Sequence, residues 1–300
     1  MDKIYIVGGG ASGMMAAIQA KTKDNEVILL EKNDRVGKKI LATGNGKCNL
    51  GNENLSVDCY YSKNGSFVEQ VLKRYDTESA VSFFASIGLK VRSKNGYLYP
   101  YAEQASVVLD VLRMELERRS IQVKPGVQIT DCTPLINKRG YLLKTPDGRS
   151  YEADRVILAC GGPASLKEGG KDGYNILQKL GLKTYPLVPG LVQLRTAGKE
   201  QKALSGVRCK ASLRLFADGI QQGSEQGELQ LTDYGISGIP VFQLSRVAAY
   251  ALRNRKSVMV QIDFTPEYSY DEIVTYLLEQ QNLRKDQTVD ELLTGFLNKK

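Results

Sequence analysis

The chain has 300 residues, 42% hydrophobic and 25% charged, with a formal net charge of +8, a composition typical of a soluble globular protein. It contains no histidine, which excludes the Ser-His-Asp and Cys-His devices and every metal site that uses imidazole. Cys48, Cys59, Cys132, Cys160 and Cys209 are scattered, odd in number and form no C-x-x-C, which argues against a disulfide framework, a redox pair or a zinc site.

The first element is Lys3-Ile4-Tyr5-Ile6-Val7, a β-branched and aromatic run that predicts one buried strand. Gly8-Gly9-Gly10-Ala11-Ser12-Gly13 follows, and Met14 to Ala20 then has helix formers and no breaker. A second apolar run, Val27 to Leu30, ends on Glu31. Strand, G-x-G-x-x-G, helix, strand and acid come in the order a dinucleotide fold needs. Gly8 allows the tight turn, Gly10 admits a pyrophosphate, and Gly13 lets helix and strand pack closely. The exposed N–H groups and the positive end of the helix that starts at Ala11 and Ser12 face the phosphates. Glu31 would accept hydrogen bonds from ribose hydroxyls and would repel a 2′-phosphate, so FAD or NAD is expected rather than NADP. Asp2 and the glycine cluster interrupt any signal-peptide pattern, and no apolar stretch reaches the ~20 residues of a membrane span. The expected location is cytoplasmic.

From Lys32 to Asn49 the chain carries four further cations (Arg35, Lys38, Lys39 and Lys47) and three glycines. Taken alone, this stretch is either an anion and cofactor clamp or a basic loop. G-G-G-A-S-G followed by E-K-N-D-R-V-G-K-K-I-L-A-T-G-N-G-K-C-N-L resembles the BaiN-like FAD-dependent oxidoreductases, also called YhiN-like or aminoacetone oxidase-family flavoproteins. The resemblance implies an α/β fold: a Rossmann-like FAD-binding domain of glutathione-reductase type with an inserted β-rich and helical domain. It implies that Lys32, Arg35, Lys38 and Lys39 lie beside the dinucleotide. It also implies that Thr43, Gly44, Asn45, Cys48 and Asn49 approach the flavin end. Cys48 is a candidate catalytic residue, and the same position reads equally as a small packed residue beside the cofactor.

Ser66 to Ile87 predicts two helices, with Phe67, Val71 and Tyr75 as the core stripe of the first and Ala80, Val81, Phe84 and Ile87 of the second. Asp76 or Thr77 caps the second helix and Gly88 ends it. Asn95-Gly96 predicts a hairpin turn, leading into Tyr97-Leu98-Tyr99-Pro100. Tyr97 and Tyr99 share a face; they either stack on flavin or substrate or pack within the strand. Tyr99 is the second candidate catalytic residue. A helix follows over about 103–119 with Val108, Leu112 and Leu116 as its stripe, then Ile121-Gln122-Val123. Val127-Gln128-Ile129 reads as a short strand, and the resemblance implies a backbone contact from Val127 to adenine.

Thr133 to Ala153 predicts a meander, and Arg155 to Cys160 a buried strand running into Gly161-Gly162. The resemblance implies that the Gly161 backbone returns to the cofactor; Cys160 stands where related chains carry Thr. Asp172-Gly173-Tyr174 opens a helix that ends at Gly181. Tyr185-Pro186-Leu187-Val188-Pro189 resembles the family's P-x-L-V-P exit from the FAD domain, and the resemblance implies that residues 1–189 form the FAD-binding domain and 190–300 the inserted one. Val207, Cys209, Ala211, Leu213 and Leu215 alternate, and Asp218-Gly219 is a hairpin turn. Asp233 stands where the family carries His. Helical patterns follow at 241–252, 270–281 and 289–297, with a strand at 258–264. The resemblance further implies a C-terminal return to the FAD domain, with a last flavin contact, that lies beyond Lys300, so that the flavin pocket would be incomplete and FAD held weakly.

The function expected on these grounds is FAD-dependent oxidation or reduction of a small organic molecule, with NAD(P)H as a diffusible reductant. The alternatives are an NAD-dependent dehydrogenase and a non-catalytic nucleotide-binding protein. The cations are dispersed among acids, so the expected partners include neither nucleic acid nor membrane.

Overall fold

A computed structural model describes residues 1–62, 64–164, 172–198 and 201–298. The chain divides into two compact units, Met1–Thr184 and Tyr185–Lys300.

The first unit begins with β1 (Asp2–Val7), α1 (Ala11–Ala20) and β2 (Asn25–Leu30), the two strands lying parallel. A 3₁₀ segment (Ile40–Gly46) and β3 (Gly51–Asn52) lead to α2 (Gly65–Arg74) and α3 (Thr77–Ser86). The hairpin β4 (Val91–Lys94) and β5 (Tyr97–Pro100), α4 (Ala105–Arg118) and β6 (Gln122–Lys124) come next. The meander β7 (Asp131–Pro134), β8 (Tyr141–Lys144) and β9 (Ser150–Ala153) precedes β10 (Arg155–Leu158) and α5 (Asp172–Lys179).

The central sheet is parallel with strand order β10-β1-β2-β6. Both of its faces are covered, which is why β1 and β2 read as continuous apolar runs rather than alternating ones. Ile4 and Ile6 pack with Met14, Ile18 and Leu112 on one face, and Tyr5 and Val7 with Leu143 and Ile176 on the other. Local signals act as expected. Asp76 accepts the Ser79 N–H at 2.8 Å to cap α3, and Asn95 and Gly96 take the left-handed turn of the β4–β5 hairpin.

Three expectations need correction. Phe67 and Tyr75 are 61% and 67% exposed, and Val71 is exposed with them. The half-buried residues of α2 are instead Val68 and Leu72. A ten-residue helix carries both stripes, and i, i+4 spacing alone does not say which meets a neighbour. Val127-Gln128-Ile129 is not a strand: after the left-handed Gly126, Val127 donates one bond to the Glu31 carbonyl at 2.8 Å and no ladder follows. β10 is an edge strand rather than a buried one, with Ile157 partly exposed while Val156 and Leu158 pack inward.

Glu115 of α4 is buried, and its carboxylate accepts charge-assisted bonds from Arg118 at 2.6 and 2.7 Å and from Arg119 at 2.5 Å. The Arg118 bonds hold its carboxyl down to about 2, against the burial that opposes ionisation. A carboxyl depressed in the folded state contributes stability above its unfolded value of 4.5, and this is lost as pH falls toward about 2. Glu115→Gln is expected to destabilise the protein at pH 7 and to flatten the stability profile across that acid window, as urea melts at successive pH values will read.

In the second unit, β11 (Leu194–Arg195), α6 (Gln201–Leu204), β12 (Arg208–Ala217), β13 (Ile220–Thr232) and β14 (Gly235–Ser237) precede α7 (Ile239–Arg253) and β15 (Val258–Asp263). The sheet is antiparallel with order β11-β14-β13-β12-β15. Ala211, Leu213 and Leu215 alternate onto the face that Val241, Leu244 and Ala248 of α7 cover. Asp218 and Gly219 both take positive φ at the β12–β13 turn. Asp233 lies exposed in the turn between β13 and β14. α8 (Tyr270–Leu283) and α9 (Val289–Leu293) each start with a capping box, Ser269 with Glu272 and Thr288 with Glu291. Among the described residues, no helix is long and apolar enough to cross a membrane.

Candidate functional site

A cleft of about 380 Å³ opens at the C-terminal ends of β1, β2 and β10, walled by Val7, Leu30 and Ala159 at its base. The chain leaves β1 toward β2 on one side, while β10 enters on the other. This is the switch point at which parallel sheets place their ligands.

The glycine turn has three different physical demands. Gly8 takes φ +110, and a β-carbon there would meet the Ala159 carbonyl oxygen at 2.4 Å. A β-carbon on Gly13 would meet the Gly8 carbonyl oxygen at 1.8 Å, so α1 can rest on β1 only with glycine. On Gly10 it would meet no protein atom within 4 Å, and Gly10, Ala11 and Ser12 all wall the cleft. The first bond of α1 runs from the Met14 N–H to the Gly10 carbonyl at 2.9 Å, and no side chain caps the helix. The N–H groups of the first turn and the positive end of α1 are thus offered to the cleft, with empty space where a Gly10 side chain would stand. That arrangement fits a pyrophosphate.

Glu31 is buried in the cleft wall. Its Oε2 accepts the Gly9 N–H at 2.6 Å, and its Oε1 accepts the Asn33 backbone N–H at 2.8 Å and the Asn33 side-chain amide. The carboxylate is therefore held in one orientation, with acceptor capacity left on each oxygen. Val127 lines the cleft beside it, and Lys32 pairs with Asp172 at 3.9 Å. Gln128 donates to the same Asp172 carboxylate at 3.0 Å.

The basic stretch folds over the other side. Lys39 reaches the Gly162 carbonyl at 2.8 Å, and Lys38 pairs with Asp34 at 2.5 Å. Thr43 also lines the cleft, and its hydroxyl donates to the Ile40 carbonyl at 2.6 Å. Gly44 and Asn45 turn away in left-handed conformations, and a β-carbon on Gly44 would meet the Asn49 backbone nitrogen at 2.7 Å.

The cleft thus brings together Gly8, Gly10, Ala11, Ser12, Glu31, Lys32, Lys38, Lys39, Thr43, Val127 and Gly161. Gly13 lies beneath its floor as a packing residue. Arg35, Gly44, Asn45 and Asn49 are exposed and do not wall it. Cys48 does not reach it either: the thiol is buried in the core on the α1 side of the sheet. The backbone there takes φ +58 as its N–H donates to the Thr43 carbonyl at 3.0 Å, which points the side chain inward. Tyr99 is half-buried beside Gly44 and outside the cleft lining.

The sequence offered no reason to place Gln128 and Asp172 in the wall; Asp172 was legible only as a helix start. The Cys160 thiol also lines the cleft, donating to the Val7 carbonyl at 3.5 Å, and burial pushes its pKa up. Among the described residues, no group of three or more His, Cys, Asp or Glu side chains could hold a metal ion.

Residues 2–232 match the HI0933-like protein Rossmann domain, and residues 188–300 match the HI0933-like protein barrel and H2TH domain. A 3-dehydro-bile acid delta(4,6)-reductase of Clostridium scindens is 40% identical over 303 residues, covering all of this chain and 73% of that protein. A ribosomal RNA dihydrouridine synthase of Haemophilus influenzae is 27% identical over 273 residues, covering 89% of this chain and 65% of its own length. Among solved structures, the open conformation of a flavocytochrome c3 fumarate reductase aligns with a TM-score of 0.48 at 16% identity, covering 69% of this chain and 46% of that one.

Proposed function

This chain belongs to the HI0933-like protein family and is a flavin-dependent oxidoreductase; from that premise we propose that its flavin is FAD and that it reduces a carbon–carbon double bond conjugated to a carbonyl. The observation that carries the FAD reading is the cleft over the β1–α1 turn, open at Gly10 and bounded by the immobilised Glu31. Glu31 would take the adenosine ribose hydroxyls, the first turn of α1 the pyrophosphate, and the Val127 backbone the adenine. Lys38 and Lys39 would offset the phosphate charge from the opposite wall, which Lys39 ties to the glycines that follow β10. Thr43 marks the direction in which the rest of the cofactor would run.

The reaction class rests on the relatives' names. A 3-dehydro delta(4,6) steroid and a uracil ring both present a double bond conjugated to a carbonyl. A flavin held there would supply hydride transfer from a reduced nicotinamide to the β-carbon of such a double bond, with the balancing proton added at the α-carbon. The protein's share is to orient the two and keep water away.

A small-molecule enone is the first substrate reading, supported by the relative that spans the whole chain. Uracil in RNA is the second, supported by the dihydrouridine synthase relative. Purified protein is expected to absorb at about 450 nm, to bleach anaerobically with NADH or NADPH, and to recover colour with a 3-oxo-Δ4,6 steroid or with uridine-containing RNA. A colourless preparation that takes up no added FAD would overturn the proposal.

A further inference from the structure

The β4–β5 hairpin carries a pattern that the cleft does not use. On β4, Arg92 and Lys94 stand opposite Tyr99 and Tyr97 of β5, and one step outward the Tyr101 N–H donates to the Lys90 carbonyl at 2.8 Å. Side chains alternate along a strand, so Lys90, Arg92, Lys94, Tyr97, Tyr99 and Tyr101 all share one face. The opposite face keeps Leu98 and Pro100 buried. Tyr97 and Tyr101 are 49% and 59% exposed. Lys90 and Arg92 both lie over the Tyr101 ring, at 5.3 and 5.5 Å from its centre. Glu103 takes Arg92 and Lys47 (2.6 Å), so with that acid included the local surface still keeps an excess of positive charge.

We infer that this hairpin face is a binding track for single-stranded RNA; the inference rests on the second substrate reading above. Cations beside exposed aromatic rings are what a single strand needs: charge for its phosphates and flat faces for its bases. Tyr97 offers an exposed ring on the strand, and Tyr101 just beyond its end holds an exposed ring against the Lys90 and Arg92 cations, so flat faces and charge stand side by side. The track also leads somewhere. Tyr99 lies 3.6 Å from where a Gly44 β-carbon would stand, so the strip abuts the loop that begins at Thr43 in the cleft wall. A strand held on the hairpin would present its next base toward that loop. An acidic peptide would find the cations but would have no use for the two exposed rings beside them.

The test is fluorescence anisotropy of a labelled oligouridylate against the 300-residue chain over a salt series. Tyr97→Ala with Tyr101→Ala is expected to weaken binding about tenfold or more, while Tyr97→Phe with Tyr101→Phe keeps it, since stacking needs the ring and not the hydroxyl. Lys90→Gln with Lys94→Gln is expected to lower the slope of log affinity against log salt by about 1.4. Lys138→Gln, on the separate β7–β9 meander, is expected to change neither. Flavin absorbance and the melting temperature report folding of each variant. The inference is overturned if the native chain does not bind the oligonucleotide, or if the tyrosine and lysine variants bind it as the native chain does. Binding at the hairpin without dihydrouridine formed in the presence of NADPH would remove the RNA-substrate reading and leave the surface standing.

Discussion

Gly10→Val is expected to strip the flavin from a protein that still folds. The backbone at Gly10 sits at φ −77, an ordinary region for any residue, and a β-carbon there would touch nothing within 4 Å. Stability therefore has little reason to change beyond about 1 kcal/mol for the lost helix-start glycine. The branched side chain would instead fill the space in which a pyrophosphate must approach the N–H groups of Ala11 and Ser12. FAD affinity is expected to fall by about a hundredfold or more, which is roughly 2.7 kcal/mol or above. Fluorescence titration with FAD, beside a thermal melt of the apoprotein, reads both halves of the expectation.

Gly13→Ala is expected to do the opposite and fail at the level of packing. Its β-carbon would lie 1.8 Å from the Gly8 carbonyl oxygen, which belongs to the backbone and cannot swing aside as a flexible side chain would. Helix α1 would have to lift from β1, opening the contacts of Met14 and Ile18 with Ile4 and Ile6. A loss of about 3 kcal/mol or more is expected, with flavin lost as a consequence. A melting temperature equal to that of the native chain would contradict the close approach described here. Two substitutions three residues apart thus separate what the glycine turn does for the ligand from what it does for the fold.

Much of this was legible in the sequence because its causes are local. The Asn95-Gly96 and Asp218-Gly219 turns depend on two residues that tolerate positive φ, and both form where the dipeptides stand. The runs of β1 and β2 have no polar alternation because helices and the meander cover both faces, so their burial was readable before any partner was known.

The misses have causes that lie elsewhere in the chain. Whether α2 turns Phe67 or Val68 inward depends on what it meets, and nothing in ten residues encodes that. β10 ends its sheet, so its apolar run is half exposed at Ile157 although it reads like β1. Cys48 belongs to the stretch most like the family, and a left-handed backbone turns its thiol into the core. Gln128 and Asp172 meet across 44 positions of sequence, a distance no periodicity spans.

The central claim is that the first unit binds the adenosine half of a flavin dinucleotide. Parallel titrations of the apoprotein with FAD and with FMN, followed by quenching of flavin fluorescence, test it most directly. FMN lacks the adenosine that Glu31 and Val127 would hold and the second phosphate that would complete the pyrophosphate at the start of α1, so FAD should bind about a hundredfold tighter or better. Equal affinity for the two, or no quenching by either, would contradict the claim.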